Sequence, residues 1–149
     1  MRIVERHVDG KLIKMLVGPG GTNRQVWVNG KQVRLSPRSS SRDVFIHGKT
    51  IIKLDVSEHW PQCVDEGKLY RSAPAWAKPL LAPILDFGDD WLIQRYYPNL
   101  KVPSFVKAFP VVTRLRTELG IRDIDCYGHN VGETRDGRIV CFDFGLLEG

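Results

Sequence analysis

A tight-turn signal in the first third of the chain is the feature that most constrains its fold. Asn29-Gly30 stands between the strand-like runs 25–28 and 32–35, and this dipeptide is typical of a two-residue hairpin turn. Further strand-like runs cover residues 11–17, 44–46 and 50–54. The first third is therefore predicted to be β-structure, interrupted by a polar, basic loop over residues 36–42.

The remainder of the chain mixes helices with short strands. Pro61 suits the first turn of a helix over 62–72, and Gly120 suits the end of a helix over 111–119. The other predicted elements are strands over 82–86 and 91–96, a proline-rich connection over 98–110, and a last hairpin around 135–137. This order is not the alternating pattern of a doubly wound sheet, and it predicts an α+β fold.

Composition indicates a small globular protein with a basic surplus. The 149 residues include 22 Lys and Arg against 17 Asp and Glu, a net charge of +5. A mild basic bias is typical of proteins whose partner carries phosphate. It does not distinguish a nucleotide from a nucleic acid. The cysteines are too few and too widely spaced for a disulfide framework or a zinc pattern. Because no membrane-spanning run or secretory signal is visible, we expect a cytoplasmic protein.

The most informative motif lies near the end of the chain. Asp123-Ile-Asp-Cys-Tyr-Gly-His-Asn130 is followed by Cys141-Phe-Asp-Phe-Gly145. Here the sequence resembles the protein kinase-like superfamily, in which an asparagine follows the catalytic aspartate by five positions and a D-F-G comes after a short hairpin. The resemblance implies that Asp125 orients the attacking hydroxyl, and that Asn130 and Asp143 hold Mg²⁺ through hard oxygen ligands.

Two upstream residues match the same family. Thr50-Ile-Ile-Lys-Leu54 resembles the strand whose lysine contacts the α- and β-phosphates of ATP. The resemblance implies that Lys53 is this lysine and that a glutamate from the following helix pairs with it. Glu66 is the predicted partner, with Glu58 as the reserve.

The segment 91–97 resembles the last strand and the hinge of the small lobe. The resemblance implies that the backbone of Arg95, Tyr96 and Tyr97 contacts the adenine edge, with Gln94 near the gatekeeper position. The same resemblance makes ATP the expected cofactor beside Mg²⁺.

The glycine-rich phosphate loop of the family is missing. The segment 36–42 takes its place in the order of motifs, and its hydroxyls, backbone N–H groups and arginines could still bind phosphate. Arg38, Ser40 and Arg42 are the predicted phosphate contacts. The glycines of 18–21 lie too far upstream of Lys53 and lack the family's spacing.

Two departures concern the large lobe. The histidine of the family's catalytic loop is Asp123 here, and the sequence stops four residues after Gly145, before any activation segment. The resemblance therefore covers about residues 32–146, the front half of a kinase domain. We expect one kinase-like domain over 1–149, with a small lobe and extra N-terminal strands over 1–97 and a truncated large lobe over 98–149.

Three functions remain open at this point. The first is an ATP- and Mg²⁺-dependent phosphotransferase whose acceptor, a protein Ser/Thr or a small molecule, is unknown. The second is a silent kinase-like module, similar to compact phage reading frames, that binds a nucleotide or a partner protein. Truncation would leave apolar side chains for a second copy or a host protein to cover: Phe105, Phe109, Val112 and Leu115. The third, a nucleic-acid binder, is disfavoured because the sequence has no Lys/Arg stripe.

Overall fold

The computed structural model describes residues 1–18, 24–37, 42–57, 61–121 and 131–144, and over these ranges the chain has an α+β fold. The chain divides into two compact units. The first unit contains residues 1–67 and 84–96, and the second contains 68–83 and 97–149. The chain passes into the second unit after residue 96, and residues 68–83 also belong to the second unit.

The first unit begins with a four-stranded antiparallel meander. Its strands, in the order β1-β2-β3-β4, are Arg2–Val8, Lys11–Val17, Gln25–Val28 and Lys31–Val33. Asn29 and Gly30 have φ of 50° and 82°, which confirms the predicted turn, since both positions of such a turn need positive φ. The sequence did not predict β1, because charged side chains and His7 break up its apolar alternation.

A second four-stranded antiparallel sheet completes the first unit. Its strands are β5 Arg42–His47, β6 Thr50–Asp55, β7 Ile84–Phe87 and β8 Trp91–Arg95, in the order β5-β6-β8-β7. Helix α1, Gln62–Ser72, follows β6 and has the bounds predicted from the sequence. Leu35, two residues after the end of β4, forms a single β-bridge with Phe45 of the edge strand β5.

Strand β6 separates an apolar face from a charged face. Ile52 and Leu54 are fully buried in one apolar cluster with residues of the meander such as Ile13 and Met15. Lys53 and Asp55 alternate with them along the strand, and both contact α1 instead. Because successive side chains of a strand point to opposite faces, this alternation places the charges on the helix side of the sheet.

Three arginine–aspartate pairs connect the start of the chain to the β7–β8 hairpin region. The nitrogen–oxygen distances are 2.6 Å for Arg2–Asp90, 3.1 Å for Arg6–Asp86 and 2.8 Å for Arg95–Asp9. These side chains are exposed or half-buried, so each pair adds little stability in water. They are contacts between residues of the β1–β2 hairpin and residues of the second sheet.

The second unit contains a helix and a hairpin. Helix α2 covers Phe105–Leu119, and the hairpin strands are β9 Val131–Glu133 and β10 Ile139–Cys141. The prediction that α2 begins at residue 111 is wrong, because the helix continues through Pro110. Ser104 begins the helix instead, since its side chain accepts a hydrogen bond from the Lys107 N–H at 3.3 Å. Proline removes only one backbone hydrogen bond here.

Helix α2 buries one face and exposes its first turns. Val112 and Leu115 are 1% and 0% exposed, so the prediction that truncation uncovers them is wrong. With Ala108 they follow the three- and four-residue spacing that puts side chains on one helix face. Phe105 and Phe109 are exposed, as predicted. No helix within the described ranges has the length and apolar character to cross a membrane.

Candidate functional site

A buried cluster of three charged side chains lies between the second sheet and α1. Lys53 comes from the interior strand β6, Glu66 from α1 and Arg42 from the first position of β5. The Lys53 Nζ atom lies 3.4 Å from each carboxylate oxygen of Glu66. Arg42 approaches the same two oxygens with both terminal nitrogens, at 2.8 and 3.1 Å. The predicted pairing of Lys53 with Glu66 is therefore present, and Arg42 is a second partner that the sequence did not predict.

Burial makes the electrostatics of this cluster strong. Glu66 is 1% exposed, and Arg42 and Lys53 are each 4% exposed. Burial by itself would raise the pKa of Glu66, but the charges of Arg42 and Lys53 outweigh it and lower the pKa to about 2. Glu66 is thus a carboxylate at every physiological pH, with its charge shared by two cations.

The position of Arg42 corrects one sequence prediction. Arg42 was expected to contact phosphate from a polar loop, but its guanidinium is buried and is hydrogen-bonded to Glu66. The β5–β6 register gives the reason, because Val44 pairs with Lys53 and Arg42 pairs with Asp55. Residues two apart on a strand share a face, so Arg42 lies on the same face as Lys53.

Asp55 and Cys63 connect the cluster to the start of α1. The Asp55 carboxylate accepts a hydrogen bond from the Cys63 N–H, at 3.2 Å, and so satisfies one of the free N–H groups of the first helical turn. Burial raises the pKa of Asp55 above its usual value. Burial also raises the pKa of the Cys63 thiol, which donates to the Lys53 carbonyl at 3.4 Å, so this cysteine is not a reactive thiolate.

The hinge residues predicted from the sequence lie at and beyond the end of β8. Gln94 is fully buried and opposite Ile51 in the β6–β8 ladder, and the Arg95 side chain pairs with Asp9. The Tyr96 N–H donates to the carbonyl of Lys49 at 2.7 Å, so an adenine contact through this N–H would replace that bond. Tyr97 belongs to the second unit, where its ring lies 6.1 Å from that of Phe142.

Asp143 and Phe144 of the D-F-G segment follow β10 after one intervening residue, Phe142, in the second unit, and Gly145 lies outside the described residues. Asp143 is half-buried and Phe144 is fully buried. Glu58, the reserve partner of Lys53, and four other predicted site residues lie outside the described residues; the four are Arg38, Ser40, Asp125 and Asn130. Over the described ranges, no three side chains of His, Cys, Asp or Glu form a metal-binding group. The structure thus unites Lys53, Glu66 and Arg42 within the first unit and places Asp143 in the second.

No protein-family model, curated protein or solved structure matches the chain. The buried cluster of the first unit and the motif that contains Asp143 are therefore the features from which a function is inferred.

Proposed function

We propose that the protein is a kinase-like phosphotransferase that uses ATP and Mg²⁺ to phosphorylate an alcohol acceptor. The observation that supports this proposal most is the buried pairing of Lys53 with Glu66. The lysine lies on an interior strand and the glutamate on the helix that follows, in the arrangement that the kinase resemblance implies.

A purely structural role for this ion pair is the main competing explanation. Removing charges from water costs more free energy than a buried ion pair commonly returns, so apolar residues would serve a core at least as well. Buried charges with strongly shifted pKa values are instead frequent at functional sites. The cluster of Lys53, Glu66 and Arg42, with the low pKa of Glu66, has this character.

Each retained polar residue has a role in the proposed reaction. Lys53 would hold the α- and β-phosphates of ATP, and Glu66 would orient Lys53. Asp143 and Asn130 carry a carboxylate and an amide oxygen, the hard ligands that Mg²⁺ prefers, and the half-buried position of Asp143 after β10 fits a ligand. Mg²⁺ held there would neutralise phosphate charge, and Asp125 would accept a hydrogen bond from the acceptor hydroxyl.

Incubation with γ-labelled ATP and Mg²⁺, alone and with cell lysate, tests the proposal. We expect label on the protein or on an acceptor, and we expect Lys53→Met and Asp143→Ala to abolish it. Lys31→Met and Asp89→Ala, exposed positions of the first unit, are matched controls that should keep full activity. Labelling that persists in both site variants, or that is absent from the wild type, would contradict the assignment.

A catalytically silent module is the second candidate, and exposed apolar side chains favour it. Val106 is 82% exposed, Val102 63%, Phe109 47% and Phe105 42%. The rings of Phe105 and Phe109 lie 5.0 Å apart at the start of α2. Exposed apolar side chains that lie this near one another in the sequence commonly mark a surface that binds another protein or a second copy of the chain. ATP binding without phosphate transfer would favour this candidate over the first.

A further inference from the structure

Glu66 has two cationic partners that hold it unequally. Arg42 makes two hydrogen bonds of ordinary length, 2.8 and 3.1 Å, in the bidentate geometry that suits a guanidinium and a carboxylate. Lys53 is 3.4 Å from both oxygens, which is beyond the usual range of 2.7–3.2 Å for such bonds. The stronger partner of Glu66 is therefore Arg42.

We propose that Arg42 is a positioning residue that keeps Glu66 ionised and in place while Lys53 moves onto a phosphate. This inference rests on the proposed function, because the phosphate is that of ATP. A carboxylate as buried as Glu66 must keep a cationic partner, because an unpaired buried charge is very costly. If Lys53 were the main partner, its departure would leave Glu66 unpaired. With Arg42 holding both oxygens, Lys53 can shift toward an anion without that cost.

The geometry of Arg42 fits this role. Arg42 is the first residue of β5, and its position in the β5–β6 ladder is fixed by the pairs from Arg42–Asp55 to His47–Thr50. Its guanidinium is also 3.8 Å from the Cys63 sulfur, one turn before Glu66 on α1. Arg42 thus connects β5 to two turns of α1 and holds the helix that carries Glu66 against the sheet.

The proposal predicts unequal effects of removing the two cations. We expect Arg42→Met to lower Tm by about 10 °C, because it leaves Glu66 with its weaker partner. Lys53→Met should lower Tm by less than half as much. Arg34→Met removes an exposed arginine of the same unit and should leave Tm unchanged. Equal losses for the two buried cations, or a larger loss for Lys53→Met, would overturn the proposal.

A spectroscopic readout separates positioning from general stabilisation. The carboxyl carbon of Glu66, assigned with Glu66→Gln in protein labelled with ¹³C-glutamate, should not titrate between pH 4 and 7 in the wild type or in Lys53→Met. In Arg42→Lys, which keeps the charge but loses the bidentate contact, the signal should begin to titrate near the acid end of this range. A signal that titrates in Lys53→Met but not in Arg42→Lys would assign the main role to Lys53.

ATP kinetics complete the test and keep the two proposals distinguishable. If both hold, Arg42→Lys should raise the KM for ATP about tenfold with a smaller change in kcat, because Lys53 is then retained by Glu66 in the free enzyme. An unchanged KM in a folded Arg42→Lys variant would overturn the positioning role. A wild type without any ATP turnover would contradict the proposed phosphotransferase function instead. The Tm values and the NMR signal of Glu66 would still show whether Arg42 is the stronger partner of Glu66.

Discussion

Gly67 of α1 lies directly against the ring of Phe87 on β7, so closely that a Cβ at residue 67 would overlap the ring carbons. The helix therefore approaches the second sheet at the residue next to Glu66. Gly67→Ala should force the helix or the ring to move, which costs about 1–3 kcal/mol of unfolding free energy. Chemical denaturation followed by circular dichroism measures this loss.

Two further variants test whether the close contact between residue 67 and Phe87 causes the loss of unfolding free energy. Lys68→Ala changes the exposed neighbour of Gly67 on α1 and should leave the free energy of unfolding within about 0.5 kcal/mol of the wild type. Phe87→Leu in the Gly67→Ala background removes the flat ring and should recover part of the loss. Equal stability of Gly67→Ala and the wild type would show that the contact does not limit how closely the helix packs.

Pro110 interrupts the hydrogen bonding of α2 from an exposed position. Proline cannot donate the bond that residue 110 would make to the carbonyl of Val106. Pro110→Ala should raise the free energy of unfolding by about 1–3 kcal/mol, because alanine restores the donor and has the highest helix propensity. Thermal unfolding measures the gain, with Thr117→Ala, exposed on the same helix, as the control. A lower Tm for Pro110→Ala would mean that the proline is required for the packing of α2.

The two buried carboxylates of the site should shape acid stability in opposite directions. The pKa of Glu66 falls from an ordinary 4.5 to about 2 in the folded state, so its stabilisation is complete above pH 4.5 and is lost as the pH falls toward 2. This shift corresponds to about 3 kcal/mol. The pKa of Asp55 is raised, so its contribution to stability instead decreases as the pH rises through that raised pKa.

Denaturation curves between pH 3 and 7 test these signs. Glu66→Gln should lose unfolding free energy most at pH 7 and least at pH 3. Asp55→Asn keeps an oxygen that can accept the Cys63 N–H and should be at least as stable as the wild type at pH 7. A Glu66→Gln variant with the acid dependence of the wild type would contradict the low pKa.

The exposed apolar start of α2 should drive self-association if it serves as a docking surface. Val106→Lys and Phe109→Lys, which replace exposed apolar side chains by charges, should shift the protein toward the monomer in sedimentation velocity runs over a range of concentrations. Glu118→Lys, at an exposed position near the other end of the helix, is the control for added charge. A wild type that stays monomeric at every concentration would argue against a homodimer through this surface.

Local signals in the sequence predicted the parts of the fold that depend on neighbouring residues. The bounds of α1 and the turn at Asn29-Gly30 follow from capping and turn chemistry, which act within a few positions. The pairing of Lys53 with Glu66 came from the order of motifs. Strand β1 was missed because only three of its seven residues are apolar, and the meander around it, not its own pattern, makes it a strand.

The role of Arg42 and the start of α2 depend on interactions over longer distances. A side chain as long as arginine can reach solvent or a buried carboxylate, and only the β5–β6 register decides between them. At α2, proline predicts a helix end by itself, but the cap at Ser104 and the buried face of Ala108, Val112 and Leu115 outweigh the one lost hydrogen bond. Such tertiary contacts are not encoded in any single window of sequence.

The alternation along β6 has a consequence for what the N-terminal meander contributes to the site. Ile52 and Leu54 are buried in an apolar cluster to which the meander contributes side chains, so a shift of β6 by one residue would move the ammonium of Lys53 into that cluster. The meander contributes no charged group to the cluster of Arg42, Lys53 and Glu66, yet its apolar side chains oppose any one-residue shift that would turn the lysine to the other face. A chain without its first 33 residues would retain all three charged side chains. It would lose the apolar packing that keeps β6 in the register in which those side chains meet.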